Sequence, residues 1–245
     1  MATSLICDET IEVPVPIGSL ADFRRWALSD SFPERGRIDF IRNKIEIDMS
    51  AEELFTHGTP KAEIGATLYQ RARRMKLGRV FVDRTRISNV EADLSAEPDV
   101  VFVSRESLES GRVRLVPKAS GGEERFIEME GSPDLIVEVV SDSSATKDSQ
   151  RLPAACYDAG VCEYWLVDAR RKNRFVFQIH HRRRRKFEPA KADAHGFQKS
   201  GVFECWFRLD RFVGDDGHWE FDLRSQEISR RKSSTPKRKR SDGAT

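Results

Sequence analysis

Two acidic residues lie where solvated charges do not belong. Asp99 follows Glu97-Pro98 and opens the apolar run Val100-Val101-Phe102-Val103, and Glu138 sits inside Leu135-Ile136-Val137-Glu138-Val139-Val140. Runs of this composition read as strands buried on both faces. A carboxylate in such a strand is costly unless it is paired or binds a metal. On adjacent strands the two acids can converge on one divalent cation, since Mg²⁺ is commonly held by one or two carboxylates together with substrate phosphate. A buried ion pair, or a Glu138 turned to solvent on a half-exposed strand, gives the same pattern. Pro133-Asp134 repeats the Pro-Asp pair at the entrance of the second run, where turn and capping roles are common. There is no Gly-rich phosphate loop, no dinucleotide fingerprint and no legible Ser-His-Asp arrangement, so nothing points to an organic cofactor.

The elements that must position these acids can be read from periodicity. Ser19 is a candidate cap for a helix carrying Leu20, Phe23, Trp26 and Ala27. Residues 37–50 alternate around Arg42-Asn43-Lys44 and predict a β-hairpin. A long helix is expected over 58–78, with Thr59 as its cap, Pro60 in its first turn, Ile64, Leu68 and Ala72 on one face, and Lys76 and Gly78 closing it. Residues 79–88 alternate as one strand, which would turn Arg84 and Arg86 to one side, as phosphate contacts or as ordinary exposed arginines. Residues 105–132 read as an insertion with a short strand. A helix interrupted near Pro153 spans 143–160, and 163–169 is another strand. Residues 174–209 close the chain as a β-meander. The order predicts an α/β (α+β) domain with a mixed sheet covered by helices.

The chain has 245 residues, 33% of them charged, with a formal net charge of +2. Residues 226–245 hold seven Lys/Arg against two acids, so this segment carries +5 and the rest −3. We therefore expect one domain over 1–225 and a disordered basic tail over 226–245, which either contacts phosphate backbones or only solubilises. His180-His181-Arg182-Arg183-Arg184-Arg185-Lys186 has the same two readings, a solvated turn or a phosphate-contacting patch. Adjacent histidines on a strand point to opposite faces, which makes them poor joint metal ligands. The four cysteines form no CxxC pair, which argues against a zinc site or a disulfide framework and suits a cytoplasmic setting. No apolar run is long enough for a membrane span.

Glu97-Pro98-Asp99-Val100-Val101-Phe102-Val103, then Gly131-Ser132-Pro133-Asp134 running through Glu138 to Ser144, then Tyr157-Asp158-Ala159-Gly160-Val161 leading into Glu163-Tyr164-Trp165-Leu166-Val167-Asp168, resemble the Uma-two family. That family is a branch of the PD-(D/E)XK nuclease superfamily, and the resemblance covers roughly residues 20–210. It implies a restriction-endonuclease-like core that hydrolyses DNA with Mg²⁺ or Mn²⁺. Asp99 then matches the aspartate of the Pro-Asp element and Glu138 the acid of the next strand, both as metal ligands, and Glu63 on the long helix is a third candidate ligand. The family's basic residue lies on the following helix, about four residues after an aspartate matched by Asp148. Here that position is Leu152, so Lys147 is the catalytic candidate, with Arg151 as its rival and an exposed helix charge as the ordinary reading. Lys147 is preferred because a desolvated lysine can lose its proton whereas an arginine effectively cannot. His57 matches a histidine frequent in the family, although bracketing the helix start explains it as well. The missing helix lysine keeps open an inactive nucleic-acid-binding protein on the same scaffold. A homodimer is an assembly that double-strand cutting allows.

Overall fold

The computed structural model describes residues 17–118 and 125–228. Ser19 caps α1 (Leu20–Ala27) by accepting from the Asp22 backbone N–H. The apolar side of α1 packs on Ile38 and Phe40 of β1 (Arg37–Ile41). Arg42 and Asn43 take left-handed φ values of 48° and 62° and turn the chain into β2 (Ile45–Asp48), giving the expected hairpin. A single π-helical turn, Leu54–Gly58, then leads into α2 (Thr59–Met75). Thr59 is thus the first residue of regular helix rather than its cap, and its hydroxyl donates back to the Leu54 carbonyl at 2.8 Å. Lys76, left-handed at φ 55°, ends the helix. Gly78 does not stop α2 but opens β3 (Gly78–Val82), where a Cβ would lie 2.1 Å from the Val103 carbonyl oxygen.

The stretch 79–88 is not one strand. Asp83 and Arg84 adopt φ values of 60° and 46°, and the chain leaves β3 for β4 (Arg86–Asn89) in a different sheet. After β5 (Leu94–Ala96) and β6 (Val100–Ser104), the supposed insertion holds α3 (Arg105–Glu109) and two strands, β7 (Val113–Pro117) and β8 (Phe126–Gly131). β9 (Leu135–Val139), a second π turn (Lys147–Arg151) and α4 (Leu152–Asp158) follow. The rest is strand: β10 (Glu163–Arg171), β11 (Arg174–Arg182), β12 (Phe187–Pro189), β13 (Gln198–Ser200), β14 (Cys205–Val213) and β15 (Trp219–Glu227).

The central sheet has the order β12-β11-β10-β9-β6-β3, mixed because β9 and β10 are parallel. A second sheet, β2-β1-β5-β4-β8-β7, and a third, β13-β14-β15, complete the fold. Side chains of a strand alternate between faces. Val100, Phe102, Val137 and Val139 therefore bury with Ile64, Leu68 and Ala72 of α2 on one face. Val101, Val103 and Ile136 bury with Leu152, Ala155 and Cys156 of α4 on the other. The last strand runs to Glu227, whose carboxylate accepts two bonds from Arg71 at 2.8 and 3.1 Å, so the expected boundary at 225 falls inside β15. Residues 229–245 lie outside the described residues, as does Cys7. Cys156, Cys162 and Cys205 are free, and no described helix is long and apolar enough to cross a membrane.

Candidate active site

The register of the central sheet brings the two acids together. Val100 pairs with Val137 and Val101 with Ile136. One step further along the same antiparallel register, Asp99 stands opposite Glu138, a relation that sets Cβ atoms about 5 Å apart. Alternation turns Asp99 with Val101 and Glu138 with Ile136, so both carboxyl groups leave the same face. The Val139 backbone N–H donates to Asp99 Oδ2 at 2.8 Å and ties the two strands at this point.

Glu138 is completely buried, and among the described residues neither carboxyl oxygen has a hydrogen-bond partner. Burial, then the neighbouring Asp99 and Asp148 charges, push its carboxyl well above the ordinary carboxylate range. Asp99 shifts the other way. Burial opposes its charge, but Arg37 and His57, with the Val139 N–H, hold it below its usual value. Arg37 Nη2 donates to Asp99 Oδ1 at 2.7 Å, and His57 Nε2 lies 3.6 Å from Oδ2.

Both π turns feed this cluster. The first presents His57, whose Nδ1 lies 3.1 Å from Glu52 Oε1, so the ring is more than a helix bracket. The second presents Lys147, a buried lysine with Nζ 2.9 Å from Asp39 Oδ2 and 3.6 Å from Asp148 Oδ1. Burial works against its charge, yet Asp39, Glu138 and Asp148 together raise its pKa. Desolvation alone would free the proton, but the surrounding acids retain it. Asp148 is itself buried, accepts from the Ser144 hydroxyl, and is pushed up to about 6 by burial. Four buried carboxyl groups (Asp39, Asp99, Glu138, Asp148) thus face two cations, Arg37 and Lys147.

Above the cluster opens a cleft of about 670 Å³ whose walls include Arg37, His57, Lys61, Arg84, Glu97 and Arg170. A recess of about 90 Å³ beside it reaches Arg37, Asp39 and Lys147. Among the described residues, no three His, Cys, Asp or Glu side chains are already arranged around one cation position. The unpartnered oxygens of Glu138 nevertheless suit a cation: an enclosed carboxylate without donors is what a hard metal ion stabilises best.

Other predicted residues stand elsewhere. Glu63 does not join the cluster; its Oε1 accepts from the Leu223 backbone N–H at 2.9 Å and the Thr67 hydroxyl at 3.1 Å, against β15. Arg151 is partly exposed and makes a two-pronged pair with Glu46 at 2.8 and 2.7 Å. Asp134, at the opposite end of β9, accepts from Ser104 N, Ser107 Oγ and Arg112, a structural role. Arg84 and Arg86 do not share a strand face: Arg84 lies in the turn on the cleft wall, while Arg86 is buried and paired with Glu97. His180 and His181 do point apart, His180 toward Tyr164 and His181 to the Lys199 carbonyl. Arg182 lies over the Tyr157 ring, and Arg183, Arg184 and Arg185 are exposed in the turn before β12.

Arg37 and Asp39 went unread in the sequence, although a signal was present. Ile38 and Phe40 define one buried face of the first strand, so positions 37 and 39 must share the other. The Arg-x-Asp pair there faces the acids of the central sheet, Arg37 reaching Asp99.

The Uma2 family, described as "Putative restriction endonuclease", matches residues 20–206. The chain belongs to this family. The Uma2 match takes in every element that contributes to the cluster, from β1 to the second π turn. A crystal structure from Anabaena variabilis ATCC 29413, described as "a putative nuclease belonging to DUF820", superposes with a TM-score of 0.54 at 17% identity, over 76% of this chain and 90% of that one. The Uma2 chain therefore has the restriction-endonuclease-like α/β fold. No curated protein matches it.

Proposed function

We propose that this protein is a divalent-metal-dependent DNA endonuclease that hydrolyses phosphodiester bonds. One observation carries the reading: a fully buried Glu138 carboxyl with no donor on either oxygen among the described residues, opposite Asp99, whose partners Arg37 and His57 line an open cleft. Asp99 and Glu138 would hold Mg²⁺ or Mn²⁺, with Asp148 close enough to add charge. Four carboxylates against Arg37 and Lys147 leave a formal deficit of two positive charges, the charge of one such ion. When bound, the ion supplies charge stabilisation at the phosphoryl oxygens and activates water.

The chain's own groups divide the remaining work. Lys147, held charged by Asp39, neutralises the phosphate rather than taking a proton. His57, fixed by Glu52, orients Asp99. The exposed arginines at 183–185 and the basic residues after 228 contact DNA phosphates outside the cleft. Cutting both strands takes two such sites, so a homodimer is the assembly this reading favours. Free buried cysteines agree with a cytoplasmic setting.

The second reading is a nucleic-acid-binding protein without catalysis. It draws on Leu152 at the family's lysine position and on acids already paired with Arg37 and Lys147. Incubation of supercoiled plasmid with the full chain in Mg²⁺ or Mn²⁺ separates the two. Cation-dependent nicking that Glu138→Gln abolishes supports the nuclease; salt-sensitive DNA binding with no cleavage on any DNA form leaves the binder.

A further inference from the structure

We propose that Arg37 is the phosphate-receiving residue of this site, and that in the free protein its guanidinium holds the oxygen of Asp99 that a divalent cation would take. The inference rests on the metal reading of Asp99 and Glu138. Of the two Asp99 oxygens, Oδ2 is committed to the Val139 backbone N–H at 2.8 Å, with His57 Nε2 at 3.6 Å. Oδ1 is held by Arg37 Nη2 at 2.7 Å. Oδ2 already accepts a backbone bond, so Oδ1 is the oxygen this proposal gives to a cation shared with Glu138. Inside an enclosed site, where water screens little, a guanidinium and a dication on one oxygen repel each other strongly.

Once displaced, the Arg37 side chain has a direction to take. Arg37 is the first residue of β1 and lines both the large cleft and the small recess beside Lys147. Asp83 on the cleft wall is 3.8 Å away and already takes Lys61 at 3.3 Å. A phosphodiester entering the cleft offers two oxygens to the planar fork of a guanidinium, the geometry that arginine satisfies and lysine does not.

The test starts without DNA. Mn²⁺ binding to the metal-free full chain is measured by titration calorimetry for wild type and Arg37→Gln. The variant should bind Mn²⁺ about tenfold more tightly, the weight of one charge-assisted hydrogen bond no longer competing. In Ca²⁺, fluorescence anisotropy should show that duplex DNA binding, strengthened by the cation in wild type, gains nothing in the variant. Unchanged or weaker Mn²⁺ binding in a folded Arg37→Gln protein overturns the proposal, since that is what a merely structural arginine would give. A wild type that binds no Mn²⁺ at all brings down the metal reading itself. Should Arg37→Gln fail to fold, wild type answers through NMR. The arginine Nε–H signal missing from Arg37→Lys should move when Mg²⁺ is added, and a signal unmoved at saturating Mg²⁺ refutes the exchange.

Discussion

Replacing Asp148 by asparagine should stabilise the metal-free protein at neutral pH and leave it unchanged in acid. Asp148 is buried, accepts from Ser144, and titrates at about 6 rather than at its ordinary 3.8 because burial, reinforced by Asp99, outweighs the attraction of Lys147. A carboxyl whose folded-state pKa is raised keeps a proton that the unfolded chain has lost. Its contribution is therefore complete below the unfolded value, falls as pH rises from about 3.8 to about 6, and stays lost above. At about 1.4 kcal/mol for each pH unit, the loss is roughly 3 kcal/mol. Asparagine cannot ionise and can still accept from Ser144. In urea unfolding with EDTA, the variant should match wild type near pH 4 and exceed it by roughly 3 kcal/mol near pH 7.5, as the titration integral requires. A difference that does not change with pH, or an asparagine variant less stable at neutral pH, would refute the account of this cluster.

Glu138→Gln carries the same sign, because the Glu138 carboxyl is also raised; it should add stability that grows toward alkaline pH in urea titrations and should remove Mn²⁺ binding in calorimetry. Lys147→Ala should slow single-turnover plasmid cleavage by about 10² or more, the scale of losing one positioned charge at a developing phosphate charge, while Arg151→Ala, paired outward with Glu46, should stay within about twofold. If Arg151→Ala is the inactive one, the assignment of the basic residue is wrong. Deleting 229–245 removes seven Lys/Arg and one acid; melting temperature should hold, and the slope of log affinity for DNA against log salt should flatten. An unaltered slope would show those residues to be idle.

The strand pair that builds the site was legible because both acids interrupt β-branched runs, and a charge in such a run announces itself. Lys147 was reached only as a neighbour of Leu152, the position the resemblance assigns to a lysine, and Asp39, the first of the acids that hold its proton, lies on β1 far away in sequence. Arg37 and Asp39 were hidden by the strength of the opposite signal. Ile38 and Phe40 mark one core face by alternation, but nothing in the sequence shows that β1 is covered on its other side as well. The division of 79–88 between two sheets was equally invisible, because Asp83 and Arg84 carry no glycine or proline to announce their left-handed backbone. Glu63 was placed by analogy, and α2 turns it toward β15 instead.

The second π turn widens the chain where it carries the basic residue. There the Leu152 N–H reaches the Lys147 carbonyl, five residues back, where a regular helix would reach four. A π turn is an α turn that has accommodated one extra residue, so from this point the helical count and the sequence count differ by one. Lys147 and Leu152 thus bracket one wide turn, with the amine of Lys147 among the acids. Removing one residue between 148 and 151 would restore α geometry and swing everything on one side of it by roughly 100°, the angle per residue of a helix. A lysine restored at 152 in the same background would then compete with Lys147 for the same acids rather than supplement it.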